Sequence, residues 1–168
     1  MKIKKIAVVG ISASGKSVFG RELEEHTGLP LFHMDNLFWR GKWESIPESE
    51  YLKEEQKLIC KDKWIIEGYV DEKMSGRLEL ADLVIYLDYP GILCFSRVIW
   101  RWLKHRRVSR PELPKEALEE LDLSFLWCVL TRSERPGIER ALERVDQSKI
   151  VRVYSPRALR EFMKEKYF

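Results

Sequence analysis

The strongest chemical signal in the chain is a glycine-bounded loop near its start. Residues 10–17 read GISASGKS, which satisfies the phosphate-loop pattern GxxxxGK[ST] between a predicted strand and a predicted helix. Glycines at both ends let successive backbone N–H groups point at phosphate oxygens, backed by the helix N-terminus. The Lys16 ammonium can then reach the terminal phosphates, and the Ser17 hydroxyl suits Mg²⁺. The residues predicted to hold the nucleotide are Gly10, Ser12, Ala13, Ser14, Gly15, Lys16, Ser17 and Val18.

Three acidic residues stand where predicted strands end. Asp35, Glu67 and Asp88 each close a short apolar run, and ligands of open parallel sheets bind beyond the carboxyl ends of the strands. Glu67 resembles the acid that holds or orders water around Mg²⁺ in enzymes with this loop, so Ser17 and Glu67 are the predicted metal residues. Asp35 could bind an acceptor hydroxyl or act as its general base. The alternative for each acid is a cap on the next helix or loop, and the Tyr-Pro dipeptide after Asp88 favours a turn there.

A basic segment between Arg97 and Arg110 contains six Lys or Arg residues and no acid, with two tryptophans among them. Three interpretations are open. The segment could be a lid whose arginines neutralise the transferring phosphoryl group, a nucleic-acid surface on which bases stack, or a solvated helix face. Its place after the fourth predicted strand favours the lid, and a net charge of +3 does not require DNA as a partner.

The elements that must position these residues alternate between short apolar runs and longer helical patterns, which is typical of an α/β fold. Five parallel strands are predicted, with helices on both faces. A loop rich in aromatic residues is predicted over 36–46. A helix is then predicted from a capping box of Ser45 and Glu48, with Pro47 in its first turn. The predicted strands cover residues 3–9, 31–34, 64–67, 83–88 and 150–154, and later helices cover residues 91–107, 115–132 and 137–146.

Composition sets the class of protein. The 168 residues include 45% hydrophobic side chains, and 30 Lys and Arg face 27 Asp and Glu. This balance predicts one globular domain over 1–168 and excludes a disordered chain. No apolar run approaches the ~20 residues of a membrane span, and the run at 6–9 is too short for a signal peptide, so a cytoplasmic protein is predicted. Three dispersed cysteines indicate neither a disulfide framework nor a zinc site.

The order of the motifs adds a resemblance to known families. The phosphate loop is followed by Asp35, then by residues 67–69 (EGY), residues 87–90 (LDYP), and the pair Arg97 and Arg101. This order resembles that of the adenylate-kinase-like P-loop kinases. More narrowly, residues 33–39 (HMDNLFW), 64–68 (WIIEG) and 154–157 (YSPR) resemble the DNA topology modulation (FlaR-like) proteins over nearly the whole chain.

The resemblance implies a P-loop NTPase fold, a three-layer sandwich whose five parallel strands follow the order 2-3-1-4-5, with a small arginine-rich lid at about residues 100–115. It implies ATP and Mg²⁺ as cofactors, adenine near Ser155, Pro156 and Arg157, and an acceptor cleft over the aromatic loop. The implied activity is transfer of the γ-phosphate to a small acceptor, such as a nucleoside or nucleotide. The catalytic residues that it implies are Lys16, Asp35, Glu67, Arg101 and Arg106.

Two features separate this chain from true adenylate kinases. Glu67 stands where those enzymes carry Asp, and the loop lacks their Pro-Gly pair. Only Arg40 and Arg77 are candidates for holding the phosphate of a nucleotide acceptor. Because the narrower family is named for an effect on DNA, a nucleotide-dependent DNA-binding regulator with little kinase turnover is the alternative function.

Overall fold

A computed structural model describes residues 3–40, 44–105 and 122–164 of the chain. Its strands are β1 (Lys5–Gly10), β2 (Leu31–His33), β3 (Trp39–Arg40), β4 (Glu44–Ser45), β5 (Trp64–Glu67), β6 (Leu83–Leu87) and β7 (Ile150–Val153). Five of them form a parallel sheet in the order β2-β5-β1-β6-β7, while β3 and β4 pair antiparallel. The predicted order 2-3-1-4-5, which numbers only the strands of the large sheet, is the same topology and is confirmed.

Helices flank the sheet, as an α/β sandwich requires. Within the described ranges they are α1 (Lys16–Thr27), α2 (Met34–Phe38), α3 (Glu48–Ile59), α4 (Gly76–Leu80), α5 (Gly91–His105), α6 (Leu123–Thr131), α7 (Arg135–Leu142) and α8 (Pro156–Lys164), with a 3-10 turn at Gln147–Lys149. None of the described helices has the length and apolar character needed to cross a membrane.

The core lies on both faces of the three central strands. Residues 6–9 of β1, 64–66 of β5 and 84–87 of β6 are all completely buried. Parallel strands covered on both faces lose the alternation of polar and apolar residues, which is why these segments are continuous apolar runs in the sequence. Each fully buried aliphatic or aromatic side chain contributes about 1.5–3 kcal/mol to the free energy of folding. The site therefore lies at the ends of the most deeply buried strands.

The segment after β2 differs from the prediction. Instead of one long loop, it forms the short helix α2 and then the β3–β4 hairpin, in which Ser45 pairs with Trp39. Because Ser45 is held in a strand, it does not cap the next helix. That helix begins at Glu48 behind Pro47 with no side-chain cap, so the predicted capping box is wrong. Acidic side chains in its first turn, Glu48 and Glu50, favour the helix N-terminus electrostatically instead.

Two later helices also begin at different residues from those predicted. Helix α7 begins at Arg135, two residues before the predicted start, because Pro136 fits its first turn. Helix α6 begins after Asp122, whose carboxylate accepts a hydrogen bond from the Ser124 amide. The first part of the helix predicted over 115–132 lies outside the described residues, and so does most of the predicted lid.

Parallel pairing brings the carboxyl ends of the strands to one edge of the sheet. Gly10 at the end of β1 pairs with Leu87 at the end of β6, and His33 at the end of β2 pairs with Glu67 at the end of β5. The phosphate loop leaves this edge from the central strand β1. Residues that follow β2 and β5 therefore lie on one side of the loop, and those that follow β6 and β7 lie on the other.

Candidate active site

The phosphate loop is a tight turn whose backbone depends on small residues. A Cβ atom at Gly10 would lie 2.6 Å from the Ser14 Oγ and 2.8 Å from the Leu87 carbonyl oxygen, so only glycine fits there. At the other end of the loop Gly15 has a φ of 97°, a left-handed conformation that glycine adopts without strain. The Ser14 amide donates to the Ile11 carbonyl across the turn at 3.2 Å. The predicted loop is therefore present, directly before α1.

The Lys16 side chain is folded back over this loop. Its Nζ donates to the carbonyl oxygens of Gly10 and Ile11, each at 3.0 Å, and the residue is only 9% exposed. These contacts hold the ammonium at the mouth of the turn, where anionic oxygens bound by the loop amides would meet it. The loop thus supplies one fixed positive charge as well as backbone donors.

Glu67, the last residue of β5, is fully buried, and it pairs with Val8 of β1 on one side and with His33 of β2 on the other. Its Oε1 is 2.6 Å from the His33 Nδ1, and its Oε2 has no hydrogen-bond partner among the residues that the structure describes. Burial raises the pKa of this carboxyl, but the hydrogen bond from His33 and the charge of Lys16 oppose it, and the Ser17 hydroxyl adds to their effect. The net result is a pKa below the usual 4.5. Glu67 is therefore a buried carboxylate close to the Ser17 hydroxyl.

The lowered pKa of Glu67 predicts how stability depends on pH. A carboxyl whose pKa is lower in the folded than in the unfolded state stabilises the protein above the unfolded value of ~4.3, and this contribution is lost as the pH falls through the folded value. We expect Glu67→Gln to lower the free energy of unfolding at neutral pH by about 1.5–3 kcal/mol, the range for a hydrogen bond to a charged group. The difference from the unchanged protein should shrink at acid pH.

Urea unfolding of the two proteins across the acid range measures this difference. The exposed Glu143 provides the matched control, since Glu143→Gln should change little at any pH. If the deficit of Glu67→Gln were the same at acid and neutral pH, the stabilisation would come from packing rather than from the charge of Glu67.

A second carboxylate contacts the loop from the opposite side, and the sequence did not indicate it. Glu134, just before α7, accepts hydrogen bonds from the Ser12 amide at 2.5 Å and from the Ser12 hydroxyl at 2.8 Å. Backbone N–H groups of a phosphate loop are the donors that phosphate oxygens use. The Glu134 carboxylate therefore lies where an anionic ligand of the loop would compete with it.

The segment that carries Glu134 is tied to the sheet edge by Asp88. This acid is 4% exposed and accepts hydrogen bonds from Arg132, from Arg135 at 3.1 Å and from Arg152 at 3.3 Å. Asp88 was predicted to form a turn. Its charge in fact fixes the connection between α6 and α7 against β6 and β7, so that Glu134 is held over the loop.

We expect Glu134→Gln to bind ATP about tenfold more tightly, which corresponds to ~1.4 kcal/mol. The amide keeps the shape of the side chain but removes the negative charge that competes with, and repels, the phosphates. Isothermal titration with Mg-ATP measures the change, and Glu143→Gln again serves as the exposed control. Weaker binding by Glu134→Gln would mean that the carboxylate instead holds the loop in its binding shape.

The basic helix α5 faces the loop at Arg97. Its Nη1 donates to the Ser14 carbonyl at 2.6 Å, and the guanidinium lies 5.2 Å from the centre of the Tyr89 ring. Arg101 lies in the wall of the same cleft, one helical turn further on, and so does Lys104. The other predicted lid arginine, Arg106, lies outside the described residues.

A cleft of about 1330 Å³ joins these groups. Its volume exceeds the ~300–1,000 Å³ typical of a site for one small ligand, so two ligands can lie side by side. The chain that follows β2 and β5 contributes one side, which we call the aromatic wall: Met34, Asp35, Phe38, Trp39, Tyr51, Tyr69 and Met74. The opposite side comes from α5 and α8 and includes Pro156, Leu159 and Arg160.

The structure brings most of the sequence-predicted residues to this cleft. Gly10, the first residue of the loop, and the fully buried Glu67 do not line the cleft wall. Arg157 is not brought to the cleft, because it points away from it, is 84% exposed and pairs with Glu161 at 3.0 Å. The face of α8 that lines the cleft carries residues 156, 159, 160 and 163, a helical spacing that excludes position 157. The predicted residues found in the cleft wall are Ser12, Ala13, Ser14, Gly15, Lys16, Ser17, Val18, Asp35 and Arg101.

The two arginines suggested for an acceptor phosphate have other partners. Arg77 is completely buried and donates to Glu55, to the Tyr69 carbonyl and, at 3.3 Å, to the Tyr51 hydroxyl. Arg40 pairs with Glu50 at the surface. Neither side chain lines the cleft. The structure therefore does not bring either arginine to the cleft wall, and each is paired with a carboxylate.

Comparison with known proteins shows which solved structures share this arrangement of strands and helices. No protein-family model and no curated protein matches the sequence significantly. A sugar kinase from Janibacter sp. HTCC2649, solved without ligand, matches with a TM-score of 0.56 and 13% identity over 96% of this chain and 93% of that chain. A deoxyadenosine kinase from M. mycoides, solved with bound dATP, matches with a TM-score of 0.52 and 15% identity over 96% of this chain and 98% of that chain.

The chain shares with both kinases an α/β fold in which helices flank a parallel sheet. At identities this low the likeness concerns the arrangement of strands and helices alone. The likeness therefore does not extend to the aromatic wall or to the contact between Glu134 and the loop.

Proposed function

We propose that this protein is an ATP- and Mg²⁺-dependent phosphotransferase that transfers the γ-phosphate to a hydroxyl of a small acceptor. The observation that carries the proposal is the arrangement around one cleft. The phosphate loop with Lys16 lies at its centre, the buried Glu67 lies beside Ser17, and Asp35 lies on the aromatic wall. The same edge of the sheet thus provides hydrogen-bond donors for phosphate oxygens, oxygen ligands for a cation, and a carboxylate that can act as a base.

The residues fit ATP and Mg²⁺ by their donor sets. The loop amides and Lys16 are donors for phosphate oxygens, and the Oε2 of Glu67 is a buried acceptor whose partner is not among the described residues. No group of three or more His, Cys, Asp or Glu side chains that could hold a metal occurs in the described part of the chain. An ion held by Ser17 and Glu67 therefore needs phosphate oxygens as further ligands. Bound Mg²⁺ would supply neutralisation of the phosphate charge.

The roles of the protein's own groups follow from this placement. Lys16 and the loop amides bind and orient the phosphates, while His33 holds the Glu67 carboxylate in position. Asp35 accepts the proton of the acceptor hydroxyl while the oxygen of that hydroxyl approaches the γ-phosphorus. Arg97 and Arg101 of α5 neutralise negative charge on the phosphates from the side of the cleft opposite the aromatic wall. We assign Arg106 to the same lid. The adenine is expected against Pro156 and Leu159 rather than Arg157.

Within the P-loop kinases, the order of motifs supports the adenylate-kinase-like group and, more narrowly, the FlaR-like proteins. We take residues 1–168 as one kinase-like domain. The alternative of a nucleotide-switched DNA-binding protein is less well supported, because Arg97, Arg101 and Lys104 face the cleft and Arg97 contacts the loop. Cations placed in this way can neutralise phosphates that bind at the loop.

The test is ADP release from Mg-ATP across nucleosides, nucleoside monophosphates and other small hydroxyl compounds. We expect at least one acceptor to accelerate ADP release, and chelation of Mg²⁺ to abolish the acceleration. Phosphorylated acceptor must appear in equal amount, as mass spectrometry can show. ATP binding with no acceleration by any compound would contradict the proposal, and DNA binding at low and high salt should then be measured.

A further inference from the structure

Two donors of the phosphate loop are bound to an anion that belongs to the chain itself. The Glu134 carboxylate accepts a hydrogen bond from the Ser12 amide at 2.5 Å with one oxygen and from the Ser12 hydroxyl at 2.8 Å with the other. A carboxylate that binds a backbone N–H and a hydroxyl in this way resembles a phosphate group in its charge and in the donors that it uses. A phosphate of ATP that takes the same donors must therefore displace Glu134.

Glu134 lies in the short connection between α6 and α7, residues 132–135, which we call the Glu134 arm. Three amides of the arm donate to backbone carbonyls of α6 or of the arm itself, at 2.9–3.2 Å: those of residues 132, 133 and 135. Arg132 has a φ of 59°, a left-handed conformation that residues with a side chain seldom adopt. Such a turn persists where the surrounding contacts hold it in place.

Asp88, which follows β6, provides those contacts. Its buried carboxylate accepts hydrogen bonds from Arg132 and from both the Nε and the Nη2 of Arg135, the latter two at 3.1 Å. It also accepts one from Arg152 of β7 at 3.3 Å. The first and last residues of the arm are thus bound to one carboxylate at the edge of the sheet. Asp88 therefore fixes the backbone on both sides of Glu134.

Arginines outnumber acids in the cluster around Asp88. In the described part of the chain, the guanidinium groups of residues 132, 135 and 152 share the carboxylates of Asp88 and Glu139. Burial lowers the pKa of Arg132, and the charge of the neighbouring Arg135 lowers it further, as expected where cations are crowded together. A Glu134 carboxylate that leaves Ser12 therefore has surplus positive charge close to it in the chain. One carboxylate has two alternative sets of partners.

We propose that the Glu134 arm is an autoinhibitory element of the nucleotide site. Glu134 and the phosphates of ATP compete for Ser12, and Asp88 sets the strength of this competition by holding the arm over the loop. ATP binding moves Glu134 from Ser12 toward the arginines and loosens the arm. Because coupling between two equilibria is reciprocal, any change that loosens the arm must also tighten ATP binding. The proposal rests on the part of the proposed function that concerns ATP binding by the loop.

Asp88→Asn tests whether Asp88 acts through Glu134. We expect this variant to bind Mg-ATP about five- to tenfold more tightly in isothermal titration, because the arm loses its anchor. In a Glu134→Gln background the same substitution should have no further effect, since the competing charge is already absent. Asp82→Asn is the matched control. It makes the same change just before β6, at the opposite edge of the sheet, and should leave the affinity for ATP unchanged.

Arg135→Lys is a milder variant that keeps the charge of the cluster. Arg135 is 37% exposed, and a lysine cannot reproduce the two hydrogen bonds that its guanidinium donates to Asp88. Asp88 keeps its contacts with Arg132 and Arg152, so we expect the variant to fold and to bind Mg-ATP at least about twofold more tightly. Arg140→Lys, on the same helix but paired with Glu72, should not change the affinity. Thermal unfolding establishes that each variant is folded.

Hydrogen exchange measured by mass spectrometry follows the arm directly and needs no acceptor. Saturating Mg-ATP should slow exchange in the loop, residues 10–17. In the arm it should speed exchange at least about fivefold, by the same linkage, at the bonded amides of residues 132, 133 and 135. Adenosine, which has no phosphate, should leave the arm unchanged. A ligand that only stabilised the folded protein would slow exchange in both segments.

The outcomes separate this inference from the proposed function. Unchanged or weaker ATP binding by folded Asp88→Asn and Arg135→Lys would overturn the inference, as would slower exchange in the arm with ATP. Equal tightening by Asp88→Asn with and without Glu134→Gln would also overturn it, because the charge of Asp88 would then act independently of Glu134. The expected shifts without phosphorylation of any acceptor would overturn only the phosphotransferase. Failure of ATP to bind to any variant would overturn both proposals.

Discussion

Lys16→Ala is expected to lower acceptor-stimulated ADP formation by about 10²–10³-fold, the usual cost of removing one preorganised donor from a transition state. The ammonium is fixed at the mouth of the loop by the Gly10 and Ile11 carbonyls, so no reorganisation is needed when charge develops on the phosphates. The measurement is steady-state kinetics with the best acceptor of the panel, together with titration of nucleotide binding.

Two further variants show whether the loss comes from chemistry. Lys57, a largely exposed lysine of α3 that pairs with Glu54, provides the matched control, since Lys57→Ala should leave turnover unchanged. Lys16→Arg keeps the charge, but its planar fork does not reproduce a compact ammonium, and we expect it to remain strongly impaired. Thermal unfolding of each variant identifies any loss due to misfolding. Turnover by Lys16→Ala at the original rate would contradict the assignment of the loop as the catalytic phosphate site.

Arg77→Met is expected to destabilise the protein by about 3–5 kcal/mol, because it leaves the Glu55 carboxylate buried without a partner. Both side chains are almost fully buried, at 0% and 3% exposure. The change also removes the donors to the Tyr69 carbonyl and the Tyr51 hydroxyl. Urea unfolding measures the loss, and the aromatic wall should bind acceptors more weakly even where the variant remains folded.

The double variant Arg77→Met with Glu55→Leu tests the electrostatic origin of that loss. Replacing both members of a buried ion pair by apolar residues is often close to neutral, so we expect most of the lost stability to return. A double variant as unstable as the single one would show that the hydrogen bonds to Tyr51 and Tyr69, rather than the unpaired charge, dominate. Arg40→Met serves as the comparison, since its surface pair with Glu50 should contribute only ~0–1 kcal/mol.

The phosphate loop and the parallel sheet could be read directly from the sequence. Gly10, Gly15, Lys16 and Ser17 encode a local backbone shape and a local charge within eight residues, so their spacing is sufficient. The buried strands are apolar runs because both of their faces are covered. Once strands are parallel, the residues that end them must share one edge, and the sequence therefore also located Asp35 and Glu67 correctly on that edge.

Contacts between distant segments could not be predicted in this way. Ser12 and Glu134 are 122 positions apart, and Asp88 and Arg152 are 64 apart. No spacing rule joins such residues, because they meet only when α7 and β7 pack at the side of the central strands. The sequence likewise could not distinguish an arginine that faces a ligand from one that is buried against Glu55.

The amino-acid order by itself determined the tight turn at residues 10–17 and the α/β frame, since both arise from interactions between neighbours along the chain. The tertiary structure alone decided that Arg157 points away from the cleft, that Glu134 accepts hydrogen bonds from Ser12 in the loop, and that Asp35 lines the cleft beside Phe38 and Trp39. These features depend on which face of each helix is buried and on how charges pair across the fold. In the interior of low polarity, electrostatic interactions are strong, and an unpaired polar group is costly.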